Sequence, residues 1–168
     1  MTEEQGASRN ELLLALCRSD QEEELIELLE NEECNVNYTD GAGNSAAHYA
    51  AKTGSIGCLE ALVNEEDIIL DIQNRLEGET PLHLAVKYAD EDAEMADALV
   101  ELLLAGGADP NIENRNKLTP IMLVNPKFQS IKDKLSQAAA GYEIDDADVV
   151  NEDDFEDEGD YSGSEEED

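Results

Sequence analysis

Apolar residues along the chain fall in short clusters at helical spacing, separated by turns rich in glycine, asparagine and acidic residues. Leu25-Ile26-Glu27-Leu28-Leu29, Cys58-Leu59-Glu60-Ala61-Leu62-Val63 and Leu99-Val100-Glu101-Leu102-Leu103-Leu104 each repeat at i, i+3 and i+4. That spacing lines one face of a helix. The pattern predicts four helix pairs: Glu11–Arg18 with Glu22–Glu30, Ala46–Thr53 with Ile56–Asn64, Pro81–Ala89 with Glu94–Ala105, and Pro120–Val124 with Gln129–Ala140. Loops are expected at Thr39–Asn44, Asn74–Glu79 and Asn114–Leu118, and Leu84 and Leu102 are expected between helix layers. The fold class is all-α.

The pairs also repeat as a sequence. Gly43-Asn44-Ser45-Ala46-Ala47-His48, Gly78-Glu79-Thr80-Pro81-Leu82-His83 and Lys117-Leu118-Thr119-Pro120-Ile121-Met122 align on Ser45, Thr80 and Thr119, at intervals of 35 and 39 residues. A fixed period in this range marks stacked repeats. Ser45, Thr80 and Thr119 stand where a helix N-cap hydroxyl accepts a first-turn N–H. Pro81 and Pro120 follow at the first helical position, where the missing N–H is no loss. Gly43 and Gly78 suit a turn with positive φ, and Gly54 and Gly106-Gly107 suit helix ends.

These motifs resemble the ankyrin repeat. The fit is closest across 74–114, where Gly78-Glu79-Thr80-Pro81-Leu82-His83-Leu84-Ala85 is followed by Leu99-Val100 and then Gly107-Ala108-Asp109-Pro110-Asn111. The resemblance covers roughly 10–140. It implies a solenoid of about four units, near 10–39, 40–74, 75–114 and 115–140, with a flexible stretch 1–9 before it and a disordered acidic tail 141–168 after it. It also implies that His48 and His83 bridge the loop backbones of adjacent repeats. Two departures stand out. The interval of 39 exceeds the usual ~33, which places an insertion near Ala89–Glu94. In the last unit Met122 replaces His and Lys117 replaces the loop glycine, as in a degenerate cap.

Carried over position by position, the family's contact surface falls on Gly41, Ala42, Asn44, Lys52 and Thr53 in the second unit. In the third it falls on Leu76, Glu77, Glu79, Lys87 and Tyr88, and in the last on Arg115, Asn116 and Leu118. Leu76, Tyr88 and Leu118 read as exposed anchors, and Glu77 and Glu79 as the acids that set register on a cationic partner.

Charge narrows the choice of partner. Among 168 residues there are 43 acids and 10 bases, a net charge of −33. Phosphate recognition runs on cationic side chains, so direct nucleic-acid binding and docking to an anionic membrane are both disfavoured. Residues 141–168 hold 15 acids and no base, with Tyr142, Phe155 and Tyr161 interspersed. Such a tail either docks on a basic, partly apolar surface or only keeps the protein in solution. It leaves the repeats beside Arg115, Lys117, Lys127, Lys132 and Lys134, and could fold back on them. Ser162 and Ser164 each precede an acid by three residues, which resembles the motif of acidophilic kinases.

Other chemistry finds less support. Gly41-Ala42-Gly43-Asn44-Ser45-Ala46 has dinucleotide-loop spacing but lacks the preceding apolar strand. The two histidines are repeat equivalents rather than a metal or catalytic pair. Cys17, Cys34 and Cys58 have neither zinc nor redox spacing and read as reduced thiols. No catalytic constellation or cofactor is implied. No apolar run approaches the ~18 residues of a membrane span, and the acidic start MTEEQ does not resemble a targeting signal, so cytosol or nucleus is expected. The reading is a monomeric, non-catalytic binding module for a protein partner. A basic client of ribosomal-protein or histone type would fit the charge. The alternative is a regulatory adaptor whose signalling, transcriptional or degradation partner sits in the groove, the tail serving solubility.

Overall fold

The computed structural model describes the backbone of residues 2–31 and 33–151 and the side chains of 9–31 and 33–141. Among the described residues seven helices follow one another: α1 Thr2–Arg18, α2 Glu22–Asn31, α3 Ala46–Thr53, α4 Ile56–Val63, α5 Pro81–Lys87, α6 Ala93–Ala105 and α7 Gln129–Asn151. Short 3-10 turns occupy Tyr88–Asp90 and Pro120–Leu123. The helices form two layers. α1, α3, α5 and the Pro120–Leu123 turn pack in a row, and α2, α4, α6 and α7 pack in a second row behind them.

The core lies between the layers. Leu13 and Cys17 of α1, Leu25 of α2, Ala47 and Ala50 of α3, Leu59 and Leu62 of α4, Leu82 of α5 and Leu99 and Leu103 of α6 are fully enclosed. Ile131 and Leu135 of α7 close the far end. Small residues dominate α3, where four of eight are alanine: Ala46, Ala47, Ala50 and Ala51 sit at zero exposure and let α1 and α5 approach. The register of two core leucines differs from the sequence expectation. Leu84 and Leu102 are only half-buried, and Leu82 and Leu103 take the enclosed positions.

Both ends are more helical than expected. α1 already begins at Thr2, within the stretch 1–9 read as flexible, because no proline or turn signal interrupts it before Ser19. α7 continues to Asn151, so the tail boundary at Gly141 falls inside a helix; Ala138-Ala139-Ala140 favours continuation and one glycine does not stop it. Ser162 and Ser164 lie outside the described residues.

The insertion read near Ala89–Glu94 is the 3-10 turn after α5, and Asp92 then caps α6 by accepting from the Met95 amide at 3.1 Å. Loops between layers are tied to their neighbours: Asn37 Nδ2 donates to the Asp67 carbonyl and its Oδ1 accepts from Ile69, while Asp71 accepts from the Asp109 amide. No disulfide joins the cysteines; Cys17 and Cys58 are both buried. The hydrogen bond to Cys58 and burial push the Cys17 thiol far up, so it stays protonated.

Candidate functional site: the fingers and the two helix faces

The three fingers, the loops at 39–44, 74–79 and 114–118, lead into the first helices through the same local chemistry. Ser45 caps α3: its hydroxyl accepts from the His48 amide, and His48 Nδ1 accepts from the Ser45 amide at 3.0 Å. With Nδ1 accepting, the ring proton is on Nε2, which donates to the Glu79 carbonyl of the next repeat at 2.8 Å. Thr80 and His83 repeat the arrangement, and His83 Nε2 donates to the Leu118 carbonyl at 2.9 Å. Burial pushes both imidazoles below their ordinary range, against the pull of their backbone hydrogen bonds, so both are neutral. Thr119 departs from this pattern. It makes no side-chain cap bond, because Met122 stands in the histidine place and the following helix is one 3-10 turn.

The fingers stack on one another. The Arg75 amide donates to the Ala42 carbonyl and the Arg115 amide to the Glu77 carbonyl, both at 2.9 Å. Gly43 and Gly78 have φ of 81° and 68°. A Cβ at Gly43 would meet Arg75 Cγ at 2.8 Å, so close stacking and left-handed backbone both require glycine there. Lys117 adopts φ 66° in the third finger despite its side chain. That finger keeps its shape because Asn114 Oδ1 accepts from Asn116 and Leu118.

A family model described as Ankyrin repeats (3 copies) matches residues 12–114. The chain belongs to the ankyrin-repeat family. The ankyrin repeat is an interaction fold, typically non-catalytic, and the chain is a protein–protein interaction module. It is 37% identical over 84 residues to ankyrin repeat-containing protein YGL242C of Saccharomyces cerevisiae, covering 49% of this chain and 46% of that one. It is 35% identical over 85 residues to human ankyrin repeat domain-containing protein 53, covering 51% and 16%. Human transient receptor potential cation channel subfamily A member 1 matches at 33% over 76 residues, 44% of this chain and 6% of that one. The matched stretch thus spans less than half the length of each of these relatives.

The contact positions carried over from the ankyrin family separate into three groups. Leu76 is 80% exposed at a finger tip, with Glu77, Lys52, Lys87, Arg115 and Asn116 also open to solvent. Gly41 and Ala42 are exposed on the first finger. A second group is committed within the fold. The Thr53 hydroxyl donates to the Tyr49 carbonyl at 2.8 Å and lies 3.2 Å from the Cys17 carbonyl of α1. Asn44 accepts from Asn74 Nδ2 across the fingers. Tyr88 and Leu118 are half-buried rather than free anchors, the Tyr88 ring lying over Gly54.

Glu79 forms the third case and corrects the sequence reading. It is 2% exposed, with its carboxylate 2.7 Å from Lys87 Nζ and 3.4 Å from Asn114 Nδ2. A carboxylate neutralised beneath its own lysine is not offered to a cationic partner. Its place after the finger glycine puts it under the next finger, which the linear pattern does not reveal.

Charge separates between the layers in the first three repeats, whereas α7 at the end of the second layer carries Lys132 and Lys134. α2, α4 and α6 contain no Lys or Arg. Arg18, Lys52 and Lys87 all stand in or at the last turn of α1, α3 and α5, and Arg75, Arg115 and Lys117 stand on fingers. Arg75 and Arg115 are repeat equivalents, each following the first asparagine of its finger. Arg18 also lies 5.0 Å over the Tyr49 ring. Tyr49 donates to Asp40; burial pushes Asp40 up, but this bond and the Asn44 and Ala42 amides outweigh it and hold the carboxyl below its ordinary range. Of the basic cluster near the end, Lys134 is already engaged, 2.7 Å from Asp97 and 3.8 Å from Glu101 of α6.

The second-helix face is the acidic one. Between α2 and α4 runs a groove of about 400 Å³, with Glu22, Glu30, Glu60 and Glu65 around a floor that includes Ile26 and Leu29. Sequence reading assigned no contact residue here, since the family comparison points to the fingers. Among the described residues no group of three His, Cys, Asp or Glu is placed to hold a metal, and no helix is long and apolar enough to cross a membrane.

Proposed function

We propose that this ankyrin-repeat chain binds and escorts a basic protein client, and that the client rests on the α2–α4 face rather than in the finger groove. The observation behind this reading is that α2 and α4 carry acids and no Lys or Arg. Five glutamates lie on α2, and Lys52, which is on the other layer, is the one base between Arg18 and Arg75. Acids without counter-charges keep their attraction for a cationic partner, whereas paired ones such as Glu79 have largely spent it.

The groove adds a reason for specificity. Ile26 is 37% exposed beside four glutamates, and an apolar floor with a charged rim suits a segment that alternates basic and apolar side chains. A ribosomal protein or a histone has this chemistry, and cytosol or nucleus is where such a client would be met. The chain would act as a monomer.

Affinity capture with the full chain, eluted along a salt gradient, tests the reading. Basic proteins released between about 0.1 and 0.5 M salt are expected, since the Debye length falls from ~10 Å toward ~4 Å over that range. A retained partner that is neutral or acidic and indifferent to salt would replace this reading with the adaptor one.

A further inference from the structure

The finger edge has the opposite character from the second-helix face. Arg75 and Arg115 lie one repeat apart on stacked fingers, each side chain packed along the glycine of the finger before it. Both are exposed, and both line one pocket of about 380 Å³ with Gln73, Asn74 and Asn114; Glu113 is the acid on its wall. Among the described residues neither guanidinium makes an ion pair, and the neighbouring acid Glu77 sits 3.9 Å from Lys87. Leu76, the most exposed large apolar side chain described, stands next to Arg75, and Lys117 stands two residues from Arg115. Two guanidiniums, an ammonium and an unpartnered leucine form a surface for an acidic segment with interspersed apolar residues.

We propose that the occupant is the chain's own C-terminal segment, residues 152–168, docked in cis across Arg75, Leu76 and Arg115. The segment has 11 acids and no base among its 17 residues, with Phe155 and Tyr161 to meet Leu76. A separate acidic protein would have to approach a molecule of net charge −33. A tethered segment does not make that approach, and its effective concentration is on the order of millimolar.

The path of α7 delivers the segment to the right side. α7 runs parallel to α6: Ser130 Oγ donates to Asp97 at 3.0 Å, Lys134 reaches Asp97 and Glu101, and Gln137 and Ala138 lie beside Leu104 and Ala105. Ala138 is therefore level with the end of α6, where the chain turns through Gly107 toward the third finger. The rest of α7 projects about 20 Å beyond that level at 1.5 Å per residue. From its end, 17 residues reach up to about 55–60 Å when extended. That is enough to return to the fingers.

The consequence is a coupling between two surfaces. A basic client that draws the segment onto itself uncovers Arg75, Leu76 and Arg115 for a second partner. The docking itself does not depend on the client and stands or falls separately from the escort reading.

Amide spectra of the full chain test this directly. A variant of equal length, with the 11 acids of residues 152–168 replaced by Asn and Gln, is compared with wild type at low salt. Shifts confined to the fingers around Arg75–Gly78 and Arg115–Leu118, and abolished by about 0.5 M salt, where screening is short-ranged, are expected. Carbodiimide coupling at low salt should join the Lys117 amine to a carboxylate of residues 152–168 within a monomer. Arg75→Glu with Arg115→Glu should cut that coupling at least fivefold while the melting curve stays in place. Superimposable spectra overturn the proposal. So do shifts that grow with protein concentration, which would mean docking on a second copy, or coupling that falls only on Lys127 and Lys132. The wild-type coupling decides the matter even if the arginine variants fail to fold.

Discussion

His48 Nε2 donates to the Glu79 carbonyl at 2.8 Å while Nδ1 accepts from the Ser45 amide, so one neutral imidazole holds two consecutive repeats together. His48 is fully buried, as is His83 one repeat on. Replacing His48 with Leu leaves the buried Ser45 N–H without its partner, while the Glu79 carbonyl keeps the Asn74 amide. An unpaired buried N–H costs about 1–3 kcal/mol, so urea unfolding should show a loss of about 1–3 kcal/mol. A variant within about 0.5 kcal/mol of wild type would mean that the bridge has no weight in stability.

The same two imidazoles make stability depend on pH in a definite direction. Their folded pKa values lie below the ordinary 6.5, because burial disfavours the cation. Above 6.5 both states are neutral and the contribution is complete. As pH falls below 6.5, the unfolded chain takes up protons first, and stability is lost until the folded pKa is reached. Two such groups give a slope of at most about 2.7 kcal/mol per pH unit. Proton NMR of the ring C–H groups checks the premise: both should titrate below 6.5, and a midpoint at or above 6.5 would contradict it.

Core substitutions should follow the observed register. Leu82 and Leu103 are enclosed on all sides, whereas Leu84 and Leu102 keep partial exposure. Leu→Ala at Leu82 or Leu103 should cost about 2–5 kcal/mol, and each should exceed the same change at Leu84 or Leu102. Equal losses at all four would place the layer interface differently.

Repeat chemistry that has decayed in the last unit should be visible as small effects. Thr80→Ala removes a cap hydroxyl and should cost about 1 kcal/mol. Thr119→Ala removes none and should be near neutral. Lys117→Gly relieves a left-handed residue with a side chain, and a gain of about 1 kcal/mol is expected in thermal or urea melts. A loss there would show that the lysine side chain contributes more than its backbone strain removes.

The helix pairs and the finger positions were legible because each depends on local periodicity or on a motif within a few residues, while the histidine bridges, which reach 31 and 35 residues along the chain, followed only from the resemblance to the ankyrin repeat. Capping needs only Ser45 and His48 three apart, and the interlayer packing follows from apolar spacing. What escaped the sequence involves side chains meeting across repeats. Glu79 reads as a charged finger residue until the next finger covers it and Lys87 reaches it. Thr53 reads as a contact position until the end of α1 accepts it. The acidic groove escaped for a related reason: Glu30 and Glu60 are far apart in the chain and meet only when α2 packs on α4. Net charge alone does not say which layer it occupies.

The escort reading rests on that layer, and paired charge reversals test it most directly. Once a basic client has been captured, its affinity is measured for Glu30→Lys with Glu60→Lys and, separately, for Leu76→Asp. All three residues are exposed, so neither variant should move the melting curve. The reversal on α2 and α4 is expected to weaken client binding more than tenfold, or at least ~1.4 kcal/mol, while Leu76→Asp leaves it within about twofold. Loss of binding with Leu76→Asp and none with the paired reversal would contradict the account and return the client to the fingers.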